Sequence, residues 1–153
     1  ENKKGLYKGF SAYYCHNTHV AQVAEVVMKN NSPVVQRVVC VVDCGKLVNP
    51  LGGNNQVVGG VIDGVGHAMY GEFEFRKGSP RAKNFNRYKL IRMDQSPKVD
   101  VHFINSDHSP TGLGEPSLPP VGAAVANAIY KATGYRLMNQ PFVEELKLKK
   151  VLG

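Results

Sequence analysis

The chain has 153 residues, 42% of them hydrophobic, which is enough for one substantial core and too little for two independent ones. Sixteen glycines and nine prolines exclude a plain helix bundle and point to a mixed α+β build rich in turns and close backbone approaches. The formal charge of +7 does not argue for nucleic acid, because basic residues cluster only at Lys3 and Lys4 and at Lys147, Lys149 and Lys150. A solvated or partner-facing surface is the expectation.

In chain order, residues 9–28 alternate weakly, with Phe10, Ala12 and Tyr14 and then Val20, Ala21, Val23, Ala24, Val26 and Val27. Two antiparallel strands are predicted, broken by the polar stretch 15–19. Asn30, Asn31, Ser32 and Pro33 predict a turn, and the β-branched run 34–42 predicts a third strand buried on both faces. The three cysteines, Cys15, Cys40 and Cys44, contain no CxxC pair, so neither a disulfide framework nor a zinc ribbon is indicated. Cys40 and Cys44 are expected as buried thiols on one face of that strand.

Residues 43–55 read as a loop in which Pro50 begins a turn. Over residues 54–73 the period changes, and Val57, Val58, Val61, Ile62, Val65, Ala68 and Met69 recur at helical spacing. Gly59, Gly60, Gly64 and Gly66 lie inside that helix, where each glycine costs about 1 kcal/mol against alanine. Something compensates: another element packed on the glycine face, close approach to a bound ligand, or both.

Residues 72–75 predict a short strand and residues 77–80 a turn, followed by a stretch with Phe85, Tyr88, Leu90 and Ile91 as its buried side chains. Val99, Val101 and Phe103 alternate with Asp100, His102 and Ile104, as in a strand. Leu118, Val121, Ala124, Val125, Ala128, Ile129 and Ala132 define a last helix, with Ser117 as N-cap, Pro119 and Pro120 in its first turn and Gly134 at its C-cap. The fold class expected is α+β, a mixed or antiparallel sheet packed with two main helices.

No apolar run reaches the roughly 18 to 20 residues that cross a bilayer, and no signal-peptide pattern opens the chain. The first residue is Glu1 rather than Met. We therefore expect the natural chain to extend upstream, with the compartment, cytoplasmic or periplasmic, left open.

The junction before the last helix, Gly112-Leu113-Gly114-Glu115-Pro116, carries a carboxylate between flexible and rigid neighbours. The glycines let backbone approach a ligand, while Pro116 and the helix behind it fix the direction of Glu115. A carboxylate acting as a base near neutral pH also needs partial burial. Alone, these residues are better read as a plain strand-to-helix turn with an exposed glutamate. They are not a phosphate-binding loop, lacking both the later Lys-Ser or Lys-Thr pair and GxGxxG spacing. His16 and His19, and His102 and His108, carry no accompanying carboxylate pattern and read as surface or strand histidines, so no residue is assigned as a metal ligand.

Three segments taken together are more specific. Asp43-Cys44-Gly45-Lys46-Leu47-Val48-Asn49-Pro50, then Gln56-Val57-Val58-Gly59-Gly60 with Gly64 and Gly66, then Gly112-Leu113-Gly114-Glu115-Pro116 resemble the xanthine dehydrogenase and aldehyde oxidase family in order and in distance. The resemblance spans nearly the whole chain. In Leu118-Pro119-Pro120-Val121 and Asn127-Ala128-Ile129 it is most similar to the isoquinoline 1-oxidoreductase β-subunit and nicotinate dehydrogenase-like branch of bacteria.

The resemblance implies that residues 1–153 are the C-terminal portion of a molybdenum-cofactor-binding domain. The enzyme implied is a molybdenum hydroxylase that oxidises N-heteroaromatic compounds or aldehydes with water-derived oxygen. Glu115 matches the family's catalytic glutamate, which takes the proton from the attacking hydroxyl. Gln56 matches a glutamine that hydrogen-bonds the pterin, and Gly59, Gly112 and Gly114 are the further cofactor-binding positions. The cofactor implied is a molybdenum-pterin group in its cytosine dinucleotide form, with electrons passing to an iron-sulfur subunit or a c-type cytochrome. Val58 departs from the xanthine oxidases, which carry glutamate two residues after the pterin-binding glutamine. The family's upstream cofactor loops, including its Met-Gly-Gln-Gly-type segment, are absent from these residues.

The chain is thus expected to be half of a site, inactive alone. The rival reading is a non-catalytic assembly module of an oxidoreductase complex. In isolation, apolar surface that normally meets the upstream part of the subunit would be exposed, which predicts concentration-dependent self-association. A monodisperse monomer in sizing experiments contradicts it.

Overall fold

The computed structural model describes residues 5–151, so the basic pair Lys3 and Lys4 lies outside the described residues. Three long strands, β1 (Leu6–Cys15), β2 (Thr18–Lys29) and β3 (Ser32–Asp43), form an antiparallel meander. Both hairpins close on two residues with positive φ, His16 (51°) and Asn17 (58°) in the first, Asn30 (49°) and Asn31 (56°) in the second. Such turns match the strand twist and favour asparagine. The break predicted over 15–19 therefore shrinks to two residues, and the strand after Asn31 begins at Ser32.

Helix α1 (Pro50–Tyr70) follows, then a hairpin of β4 (Phe75–Arg76) and β5 (Ser79–Pro80), then β6 (Lys98–Phe103), which pairs parallel to β3. The sheet order is β1-β2-β3-β6, a mixed sheet as expected. Helix α2 (Pro119–Thr133) covers β1 and β2, while α1 lies beside α2 and over β3 and β6. Val38, Cys40, Val42, Val57, Val61, Val121, Val125 and Ile129 meet between these layers and are fully buried. Each such side chain contributes about 1.5 to 3 kcal/mol by leaving water. Among the described residues, no helix is long and apolar enough to cross a membrane.

Several expectations are corrected. Strand β3 is buried on one face only: Val35, Val38, Cys40 and Val42 point into the core, while Val39 and Val41 are half-buried, because both large helices sit on the same side of the sheet. Helix α1 starts at Pro50, four residues earlier than predicted from Asn54, since Asn49 caps it by accepting from Gly52 N at 3.0 Å and Pro50 suits the first turn. It ends at Tyr70, and the strand expected over 72–75 reduces to Phe75–Arg76. Phe85 and Leu90 are exposed rather than buried, and Tyr88 is half-buried. Only Ile91 of that group packs inward, against Gly66.

Ser117 is not a cap. Leu118 occupies the N-cap of α2 without a side-chain bond, and Ser117 turns inward with its hydroxyl lacking a hydrogen-bond partner among the described residues. A serine cap would need amide hydrogens on the second or third helical residue, and those would be Pro119 and Pro120, which have none. Gly134 does close the helix in the left-handed conformation, with φ of 73°.

A third helix, α3 (Phe142–Leu148), adds to the two expected and packs on α1. It is tied to the preceding loop by buried Glu145, whose carboxylate accepts from Asn139 N at 2.6 Å, Met138 N at 3.0 Å and Tyr135 Oη at 2.9 Å. Burial raises the pKa of a carboxyl, but these donors together outweigh it and hold Glu145 below the usual carboxylate range.

Close approach explains most of the glycines. A Cβ on Gly9 of β1 would lie 2.0 Å from Ala124 O and 2.3 Å from Ala128 N, main-chain atoms of α2. On Gly64 it would meet Leu118 O at 2.8 Å and Val121 Cβ at 3.0 Å. Gly59 differs: nothing lies within 4 Å of its missing side chain. Gly9→Ala should therefore cost about 3 kcal/mol by lifting α2, whereas Gly59→Ala should be neutral or stabilising by up to about 1 kcal/mol. Denaturant unfolding compares the two, and equal midpoints contradict the packing account.

Glu145 gives a second prediction. Its folded pKa lies below the unfolded value, so its stabilisation is complete above the unfolded value of about 4.3 and is lost as pH falls through the folded one. Glu145→Gln should cost about 1 to 3 kcal/mol near neutral pH. In thermal melts the gap to the parent protein should narrow as the pH is lowered past about 4. A gap independent of pH contradicts this.

Candidate functional site

The loop that carries Glu115 is held from three sides. On the first, the segment after β3 clamps its beginning: Lys46 N donates to His108 O at 3.0 Å and Thr111 N to Cys44 O at 2.9 Å. Gly45, with φ of 70°, permits this, because a Cβ there would lie 2.2 Å from Ser109 O. Leu47 and Leu113 then fill the space above Gly53 in the first turn of α1.

On the second side, the β1–β2 hairpin meets the glycines. Gly112 N donates to His16 O at 3.1 Å. The Thr18 hydroxyl donates to Gly112 O at 2.6 Å and, having one proton, accepts from the Thr111 hydroxyl at 2.7 Å. A side chain on Gly112 would strike His16 Cβ at 2.7 Å.

The third side lies beneath the turn. Gln22 of β2, fully buried, donates from Nε2 to Ser117 O at 2.7 Å. Leu118 N donates to Glu115 O at 2.9 Å, Pro116 is buried, and the space left by Gly60 receives the Ser117 side chain. The main chain on both sides of Glu115 is thereby fixed.

Glu115 projects from this edge with 70% of its side chain exposed, and its Oε1 lies 3.0 Å from His16 Nε2. Gln56, exposed on α1, donates from Nε2 to Gly114 O. Gly59, one turn further along α1, and Gly114 both face open space.

Of the residues singled out from sequence, the fold thus brings Glu115, Gln56, Gly114 and Gly59 to one edge. Gly112 belongs to the same loop, but its vacant side-chain position is taken by His16. A pterin-type group fits such an edge on physical grounds. Two missing side chains leave room, an amide is available to hydrogen-bond, and a carboxylate stands at the rim.

Sequence reasoning missed His16, Thr18 and Gln22. Gln22 carried a signal, a long polar side chain at an inward position between Val20 and Ala24, and such a residue is buried only when hydrogen-bonded. His16 lies at the surface as expected, but in a turn, and it touches Glu115. Cys40 and Cys44 are buried as expected, although Cys44 lies just beyond β3 rather than on its face, and burial pushes the Cys40 thiol up to about 11, which keeps it protonated and inert.

Comparison with known proteins identifies relatives of the chain. The chain is 36% identical over 121 residues to the membrane-bound aldehyde dehydrogenase (pyrroloquinoline-quinone) of Gluconacetobacter polyoxogenes, a match to 78% of this chain and 16% of that protein. It is 32% identical over 151 residues to isoquinoline 1-oxidoreductase subunit beta of Brevundimonas diminuta, a match to 97% of this chain and 19% of that protein. Among solved structures, quinoline 2-oxidoreductase from Pseudomonas putida 86 shares the fold with a TM-score of 0.74 at 18% identity, over 88% of this chain and 18% of that one. The chain spans less than a fifth of the length of each of these proteins. Residues 2–97, which include Gln56 and Gly59, match the family model described as a molybdopterin cofactor-binding domain, and the chain belongs to that family.

Proposed function

We propose that residues 1–153 are the C-terminal portion of the molybdenum-cofactor-binding domain of a bacterial molybdenum hydroxylase, with Glu115 as its catalytic base. The substrate class is an N-heteroaromatic compound or an aldehyde. The observation that carries the reading is the rim formed by Glu115, Gln56, Gly59 and Gly114, where a carboxylate on a fixed main chain borders two glycine positions that no described side chain fills.

When bound, the molybdenum-pterin cofactor, in its cytosine dinucleotide form, supplies the two-electron oxidation that puts water-derived oxygen on the substrate carbon. Gln56 orients the pterin by hydrogen bonding from the exposed face of α1. Gly59, Gly112 and Gly114 let helix and loop approach it, Gly112 through the docking of the loop on the hairpin. The Glu115 carboxylate takes up and holds a proton during attack, and the hydrogen bonds behind it keep its direction constant.

The exposed Glu115 needs a second wall to exclude water from the reacting groups. That wall is the upstream part of the same subunit, and an iron-sulfur subunit or c-type cytochrome accepts the electrons. The 153-residue chain alone is accordingly inactive.

Glu115→Gln in the complete complex should lower turnover by on the order of 10² to 10⁴. The melting temperature and molybdenum content should stay near those of the parent, because an exposed ion pair adds little stability. Turnover assays with metal analysis check this, and near-normal turnover overturns the reading.

A further inference from the structure

We propose that His16 is the positioning residue for the Glu115 carboxylate, holding from the β1–β2 turn the direction in which the base acts. The inference rests on the reading of Glu115 as that base.

Its starting point is a single contact, His16 Nε2 to Glu115 Oε1 at 3.0 Å, between residues 99 positions apart in the chain. An ionised carboxylate has no proton to give, so Nε2 carries the hydrogen and donates it. Once Glu115 has taken a proton on Oε2, Oε1 still accepts the Nε2 hydrogen, so the imidazole remains a partner in both states.

The imidazole is delivered by a rigid support. His16 and Asn17 both have positive φ, and Asn17 Oδ1 accepts from Tyr14 Oη at 2.9 Å. The turn is joined to the Glu115 loop through the bond from Gly112 N to His16 O and through the Thr18 hydroxyl. Glycine at 112 gains a specific reason here: any side chain would push against His16 Cβ and move the imidazole from Glu115.

The contact is not there for stability. Both side chains are more than half exposed, His16 by 56% and Glu115 by 70%, and exposed ion pairs contribute little to folding. A fixed direction at a reacting carboxylate is a different matter, because a displacement on the order of 1 Å can cost about a hundredfold in rate.

Two substitutions separate positioning from a merely structural turn. Asparagine suits the left-handed conformation and keeps the Cβ packed on Gly112, yet its amide stops one bond short of Glu115. Glutamine fits the turn less well, but its Nε2 lies as many bonds from Cβ as the imidazole Nε2. A structural role favours asparagine, and a positioning role favours glutamine.

The experiment uses the complete, cofactor-loaded complex, with kcat, KM and molybdenum content measured for His16→Asn, His16→Gln and Glu115→Gln. The expected result is a loss of about tenfold in kcat for His16→Asn with KM and molybdenum content unchanged, and recovery of most of that loss in His16→Gln. A crystal structure of the parent complex should keep His16 Nε2 within hydrogen-bonding distance of Glu115. If His16→Asn turns over at the parent rate, or the crystal structure separates the two side chains, while Glu115→Gln is inactive, the positioning role is overturned and the base reading stands. If Glu115→Gln turns over normally, both are overturned.

Discussion

Helix α2 lies against the sheet and against α1 because three residues beneath and beside it have no side chains. At Gly9 the helix backbone approaches so closely that a methyl group would overlap Ala124 O and Ala128 N. At Gly60 and Gly64 the start of α2 rests directly on α1. The bond from the Ser11 hydroxyl to Pro120 O, 2.6 Å, fixes the same end of α2 to β1. Since Glu115 stands only a few residues before that helix, the close packing sets where the carboxylate emerges. Enlarging a buried glycine on this seam would move the site as well as cost stability.

The loop uses that fixed origin in an economical way. Its main-chain bonds go to β2, to the hairpin turn and to the segment after β3, so its conformation is specified by groups that come from distant parts of the chain. Glu115, Gln56 and the vacant positions at Gly59 and Gly114 face outward, with His16 beside the carboxylate. Apolar side chains elsewhere are also uncovered: Phe10 at 60% exposure, Val48 at 82% and Met93 at 95%. Large apolar side chains in such numbers ordinarily meet other protein, which suits a chain that spans 16% and 19% of two curated relatives.

Much of this was legible in the residues because local chemistry and packing agreed. The valine period of α1, the strand alternation, Gly134 as a helix stop and the order of the three motif segments all follow from neighbours in sequence. What failed was what depends on remote partners. One covered face of β3 depends on where both helices settle. Ser117 is the exception with a local cause: its residue type suits a cap, but Pro119 and Pro120 have no amide hydrogens to offer it. Helix α3 was missed because its seven residues are too few for a period, and its anchor, Glu145, looks like an ordinary surface glutamate until its three donors are seen. His16 was invisible for the same reason, lying 99 positions from the residue it touches.

The central claim is that the rim bearing Glu115 faces the molybdenum cofactor. Anomalous X-ray scattering from crystals of the complete, loaded subunit would locate the metal directly. The account predicts the metal nearer to Glu115 than to any other carboxylate of these 153 residues, with the pterin running past Gln56 and Gly59. A metal position on the open face of the sheet, beside Phe10 and Ile104 and out of reach of Glu115, would contradict it.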